Sequence, residues 1–265
     1  MAGRAEQETR DIDITTPNHA RVYDYFLGGK DNFAADRLAA DKIAQVAPDT
    51  PLLARANRGF LVRTVRLMAH SGIRQFIDLG TGIPTSPSVH EVARAIDPSA
   101  RVVYVDNDPV VETHNAALLT SDDGVVSVMG DVRRPDDVLA DQRLQTVIDF
   151  NEPVGLLCVA VLHLVTDEED PTGILARFDD RLVSDSHVAV CQFAADSDPA
   201  GIKQFQEIYA NSPIRVTFRP RDQIFHFFKG LEILSPGIVE VADWRPDMET
   251  VATRLKMVGG VGRKR

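Results

Sequence analysis

Phe76-Ile77-Asp78-Leu79-Gly80-Thr81-Gly82 reads as the end of a buried strand: an apolar run, an acid, then two glycines, with Ser86-Pro87-Ser88 marking the entry to a helix. Ser88-x-x-Glu91 has the spacing of a capping box, in which hydroxyl and carboxylate each take a free backbone N–H of the other's turn. Strand, glycine loop and helix in that order place the glycines where backbone can approach a ligand closely. That place is the crevice beyond the carboxyl ends of parallel strands.

On either side of this stretch the chain alternates short apolar runs with helical periodicity. Gln75–Leu79, Arg101–Val105, Val125–Met129, Val154–Val159 and His187–Phe193 read as strands, almost continuously apolar, as expected of a parallel sheet covered on both faces. Val89–Ile96, Val110–Leu119, Pro135–Leu144 and Thr172–Leu182 are the helical crossovers between them. Asp78, Asp106 and Asp131 close the first three strands at intervals of 28 and 25 residues, close to the roughly 30 residues of a strand-helix-strand unit. The fold class is therefore α/β, Rossmann-like, a mostly parallel sheet with helices on both faces. After Phe193 the beat fades into helices at Ile202–Ala210 and Asp222–Lys229 and apolar runs at Leu231–Leu234 and Ile238–Val241. Val258–Gly262 is expected as an edge strand weakened by its glycines.

Ahead of the sheet, residues 1–14 lack periodicity and read as a mobile tail, and residues 15–70 as a helical cap that forms one compact unit with the α/β domain of residues 71–265. Within the cap, Asn18 caps a helix that Gly28-Gly29 stops, a second helix runs from Phe33 to Val46 after Asp31-Asn32 as cap, and a third from Arg55 to His70.

The strand ends carry the candidate chemistry. A dinucleotide fingerprint needs a third glycine at position 85, which is Thr85. Asp78 would repel a pyrophosphate but suits the ammonium and sulfonium of S-adenosylmethionine, with Gly80, Thr81 and Gly82 as its loop. Asp106, with Asn107, is placed to accept from ribose hydroxyls, although Asp106-Asn107-Asp108-Pro109 is also a good helix cap. Asp131 and Val132 stand where an adenine amine and ring would lie. His163 overlooks the crevice and is the candidate general base, or else a satisfied structural histidine. Tyr23, Tyr25 and Lys30 are candidates for a lid or substrate contact, the aromatic faces suiting a sulfonium; the alternative is that the rings dock the helix on the core.

Composition narrows the partners. The chain has 265 residues, 44% apolar and 26% charged, and a formal net charge of −10. That balance disfavours nucleic acid, which needs clustered Lys and Arg, and leaves a small-molecule acceptor. No apolar run is long enough for a membrane span and no secretory leader is visible, so a cytoplasmic location is expected. Cys158 and Cys191 fall in strand-like runs and are expected as core packing, and no metal site is expected.

These residues resemble class I S-adenosylmethionine-dependent methyltransferases, and in particular an actinobacterial S-adenosyl methyltransferase family formerly listed as a domain of unknown function. Carriers of the resemblance include Asn18-His19-Ala20-Arg21-Val22-Tyr23-Asp24-Tyr25, Leu27-Gly28-Gly29-Lys30-Asp31-Asn32-Phe33 and Val103-Tyr104-Val105-Asp106-Asn107-Asp108-Pro109. The rest are Asp78-Leu79-Gly80-Thr81-Gly82, Ala160-Val161-Leu162-His163, Pro236-Gly237, Trp244-Arg245-Pro246 and Gly260-Val261-Gly262-Arg263-Lys264. The resemblance implies a seven-stranded sheet with the last strand antiparallel, S-adenosylmethionine as cofactor, and Ala160 lining the donor pocket. It names no acceptor and no oligomeric state. A cofactor-binding regulator without turnover and an NAD-dependent oxidoreductase stand as alternatives.

Overall fold

A computed structural model describes residues 13–118, 124–209, 215–247 and 249–265. Residues 1–12 of the expected tail, and Leu119 and Ala210 as expected helix ends, lie outside the described residues.

The chain begins with three helices, α1 (His19–Leu27), α2 (Ala34–Val46) and α3 (Thr50–His70). The alternating part follows: β1 (Gln75–Leu79), α4 (Val89–Arg94), β2 (Arg101–Asp106), α5 (Pro109–Leu118), β3 (Val125–Met129), α6 (Pro135–Ala140), α7 (Gln142–Val147), β4 (Gly155–Val159), α8 (Pro171–Asp179) and β5 (His187–Phe193). The last part holds α9 (Pro199–Tyr209), α10 (Arg221–His226), β6 (Leu231–Ile233), β7 (Val239–Glu240) and β8 (Met257–Lys264). The expected crossover Pro135–Leu144 is two helices. Asp141 leaves helical geometry at ψ 128° and its carboxylate caps α7 through the Arg143 and Leu144 N–H groups.

One sheet organises the molecule, in the order β3-β2-β1-β4-β5-β8-β6, with β7 also paired to β8. β1 to β5 pair in parallel and β8 runs antiparallel to β5. The sheet has eight strands rather than seven, because two short strands share the last position: β6 pairs with the C-terminal end of β8, and β7 with Val258-Gly259. β8 is therefore an interior strand, not the edge strand its glycines led us to expect. The glycines admit neighbours: a Cβ on Gly259 would stand 2.5 Å from the Cys191 Cβ and 2.8 Å from the Val190 carbonyl.

All five residues of β1 are buried, and alternation divides them between two cores. Phe76 belongs to the cluster that α3 covers with Phe60, Val65 and Met68; Ile77 and Leu79 belong to the cluster beneath α8 with Leu156 and Phe178. α3 thus lies on the sheet itself, while α1 and α2 stand outside it. Asn18 caps α1 by accepting from the Ala20 N–H at 2.7 Å, and Gly28 closes it at φ 85°. α2 starts one residue later than expected: the buried carboxylate of Asp36, not Asp31-Asn32, takes the Phe33 N–H at 2.8 Å and pairs with Arg21 at 3.0 Å.

Candidate functional site

The carboxyl ends of β1, β2 and β4 and the start of α1 enclose a cleft of about 250 Å³. Asp78, Gly80, Thr81, Gly82, Asp106, Asn107, Asp131, Val132 and Ala160 all line it, so the structure brings every residue read as cofactor-binding into one place.

Local geometry explains why those residues converge. Gly80 and Gly82 have φ of 69° and 67°, the left-handed region where a side chain is strained. A Cβ on Gly80 would also sit 2.5 Å from the Val161 side chain. The Gly80 N–H donates to the Val105 carbonyl at 2.8 Å, and the Gly82 N–H to the Asp106 carboxylate at 2.8 Å, which ties the loop after β1 to the end of β2. Ala160, directly after β4, is one of four non-glycine residues with positive φ among the described residues, at 60°. Strain of this kind, on the order of 1–3 kcal/mol, collects where backbone must present a surface to a ligand.

Electrostatics separates the three carboxylates. Burial pushes Asp78 up to about 6, against the Thr81 hydroxyl, which donates to it at 2.9 Å, and the positive charge of Arg58. Burial likewise raises Asp106 to about 6, against the N–H groups of Asp108 and Gly82. Asp131 goes the other way: burial would raise it, but Arg133 outweighs burial and holds it below the ordinary range. The Arg133 guanidinium grips both oxygens, at 2.9 Å and 2.6 Å, and reaches on to Glu169 at 3.1 Å. Two buried ionisable carboxylates beside a glycine loop suit a ligand that is cationic at one end and hydroxyl-bearing at the other.

His163 is buried behind the wall rather than on it. Its ring packs edge-on against Phe193 at 4.8 Å, and its Nε2 lies 3.4 Å from Nε2 of His19. His19 is the histidine that lines the cleft. Burial lowers His19 to about 4 and His163 well below its ordinary value, so both are neutral at neutral pH. Tyr23 lines the cleft, with its hydroxyl donating to the Ala54 carbonyl at 3.0 Å and accepting from Asn57 at 2.9 Å. Tyr25 and Lys30 do not line it; the Tyr25 hydroxyl donates outward to Asp41 at 3.1 Å.

A family model described as S-adenosyl methyltransferase matches residues 5–265. The chain belongs to the S-adenosyl methyltransferase family. It is an S-adenosylmethionine-dependent enzyme, which removes the NAD-dependent and non-enzymatic readings. Among solved structures, this methyltransferase is similar to a DUF574 family protein from Streptomyces avermitilis MA-4680, with 38% identity, TM-score 0.91, and coverage of 96% of this chain and 99% of that one. A proposed methyltransferase from Thermobifida fusca YX matches with 37% identity and TM-score 0.91, over 96% of this chain and 97% of that one. An S-adenosylmethionine-dependent methyltransferase from Anabaena variabilis ATCC 29413, at 14% identity and TM-score 0.51 over 74% of this chain and 78% of that one, shares the fold. A search of curated proteins found no match.

Several wall residues of this methyltransferase escape a reading by motif. Asn57 and Arg58 come from α3, His19 and Ala20 from α1, and Arg215 from the segment before α10. Asn57 had one visible signal, a polar residue within the buried stripe Leu53, Asn57, Phe60, Leu61, Thr64. Arg219 was likewise missed: its buried guanidinium donates to the Leu162 and Val165 carbonyls at 2.8 Å and 2.7 Å and fixes the segment after β4 that carries His163.

Proposed function

We propose that this methyltransferase acts on a small-molecule acceptor, with its donor held along the strand ends and its acceptor against the wall formed by His19, Leu164, Val165 and Arg215. The observation that carries this reading is the make-up of the cleft wall: the strand-end acids Asp78, Asp106 and Asp131 line it together with His19 and Ala20 of α1, Leu164 and Val165 after β4, and Arg215. S-adenosylmethionine supplies, when bound, an electrophilic methyl on a sulfonium.

Asp78 takes the ammonium and Asp106 the ribose hydroxyls, each adding a charge-assisted hydrogen bond to a buried carboxylate. Val132 lies against the adenine ring. Asp131, whose oxygens are held by Arg133, accepts from the adenine amine only in competition with it. Tyr23 and Ala160 shape the wall, and α1 excludes water from a reaction that gains chiefly from alignment.

His19 Nδ1 is buried and has no hydrogen-bond partner among the described residues. Neutral His19 orients the acceptor through that atom, and His163, at its Nε2, fixes its tautomer. His163 is thus a positioning residue rather than the base. Tyr25 and Lys30 have no part in this site.

No described helix is long and apolar enough to cross a membrane. Cys158 and Cys191 are buried and unbridged, which supports a reducing, cytoplasmic setting. The test is transfer of isotope-labelled methyl from S-adenosylmethionine into cell extract, separated by size. Label in the small-molecule fraction is expected; label confined to protein or nucleic acid refutes the reading.

A further inference from the structure

Three carboxylates and three guanidiniums line the cleft: Asp78, Asp106 and Asp131 against Arg58, Arg133 and Arg215. Two of the three cations are engaged by the protein. Arg133 grips Asp131, and Arg58 donates to the carbonyls of Thr85 and Pro87. Arg215 is exposed at the mouth of the cleft and has no hydrogen bond or ion pair among the described residues.

A chain of contacts places Arg215. The His163 Nε2 lies 3.4 Å from Nε2 of His19, and the His163 carbonyl accepts from the Thr217 N–H at 2.7 Å. Two residues on, buried Arg219 holds the Leu162 and Val165 carbonyls, so residues 215–219 run beside the segment after β4. Arg215 therefore shares a wall with His19, Leu164 and Val165. That wall combines a buried, unpartnered His19 Nδ1, two apolar side chains and an uncommitted guanidinium.

Charge balance gives that guanidinium a use. With His19 neutral, the three negative and three positive charges of the lining cancel. S-adenosylmethionine carries a sulfonium, an ammonium and a carboxylate, so the loaded cleft holds one positive charge in excess. In a cleft whose acids and histidine are already desolvated that excess attracts an anion, and a single negative charge cancels it. A doubly charged group such as a phosphate monoester overshoots, against a chain whose formal net charge is −10. A carboxylate matches both the charge and the planar fork of an arginine.

We propose that the methyl acceptor is a small carboxylic acid, its carboxylate held by Arg215, its apolar body against Leu164 and Val165, and its nucleophilic O–H or N–H beside His19. This rests on the reading of that wall as the acceptor's. The methyl goes to the atom beside His19 and not to the carboxylate: the nucleophile's lone pair forms the new bond to carbon, the S–CH3 pair returns to sulfur, and the nucleophile's proton leaves to water. The product keeps its acid group.

The test splits the small-molecule fraction of a cell extract on an anion exchanger at about pH 7 into a retained acidic pool and an unretained pool. Each is offered to the enzyme with methyl-labelled S-adenosylmethionine. Label is expected from the acidic pool, in a product that the exchanger still retains, and prior phosphatase treatment of the pool should not change it. Arg215→Gln should need roughly tenfold to a hundredfold more of that pool for half-maximal transfer, the scale of hydrogen bonds to a charged group. Its maximal rate and its calorimetric affinity for S-adenosylhomocysteine should both stay within about twofold. Arg215→Lys, which keeps the charge but not the fork, should recover part of the loss. Label from the unretained pool alone, a product no longer retained, loss of label after phosphatase, or an Arg215→Gln curve that superposes on the parent's would each overturn the proposal. Weakened S-adenosylhomocysteine binding in Arg215→Gln would also overturn it, by placing Arg215 in the donor site. If neither pool gives label, the small-molecule reading itself fails and the proposal falls with it.

Discussion

The donor end of the cleft and its N-terminal wall are both desolvated, and desolvation does opposite things to them. At the donor end it raises Asp78 and Asp106 to about 6, leaving two acids that are charged at neutral pH at a cost. At the N-terminal wall it lowers His19 to about 4, leaving an imidazole that is neutral. Burial always favours the uncharged form; what differs is which form neutral pH then selects. In the proposed reading the two acids raised by burial stand where a cationic ligand arrives, and His19 stays neutral beside an acceptor that must present a lone pair.

Replacing an acid should break the contrast most strongly. Asp106→Ala is expected to weaken S-adenosylmethionine by about 1–3 kcal/mol, from hydrogen bonds to a charged group, with some loop loosening because Asp106 also holds the Gly82 N–H. Unchanged affinity in the folded variant, by calorimetry, would refute the ribose role. Asp78→Asn removes charge but keeps shape, and a loss of about tenfold in S-adenosylmethionine affinity is expected; an Asn variant that binds as well as the parent would mean that no ammonium sits there.

On the other wall the signature reverses. His19→Phe should leave S-adenosylmethionine affinity within about twofold while reducing labelled-methyl transfer by roughly tenfold, a loss of orientation rather than binding. Equal loss of both would place His19 in the donor site. Tyr25→Phe should change neither beyond about 0.5 kcal/mol, as for a surface hydrogen bond, and any larger effect would bring the outer face of α1 into the mechanism.

Legibility followed the same division. The strand-end acids and glycines announce themselves because a parallel sheet places chemistry at one end of each strand, and the run before Asp78 fixes that end locally. β8 was legible as a strand but not as an interior one, since Gly259 gains its meaning from Val190, Cys191 and Phe60, which lie far away in sequence. The cleft residues that helices supply were the least legible. Arg58 and His19 sit on helices whose periodicity shows which face is buried but not what that face meets. His163 drew attention by its position after β4, yet the side chain that reaches the cleft is that of His19, 144 residues earlier. Pinning of Asp131 by Arg133, two residues on, was local but invisible without the side-chain geometry.

The charge stored at Asp78 is open to direct measurement. In the proposed complex the ammonium would favour the ionised carboxylate, so its value would fall below the about 6 of the free protein. Binding is then complete above that pH and is lost as pH falls through it. Folding of the free protein has the opposite sign for this group: raised above the unfolded value, it contributes stability below that value and loses it as pH rises through about 6. Buried His19 and His163, lowered on folding, oppose that trend, so ligand affinity is the cleaner observable. A calorimetric titration of S-adenosylmethionine from about pH 7.5 to 5 should show single-site binding that weakens below about 6 by up to tenfold per pH unit per carboxylate, with a shallower slope in Asp78→Asn. Affinity independent of pH across that range, or no binding at any pH, would contradict the assignment of the buried acids to the cofactor.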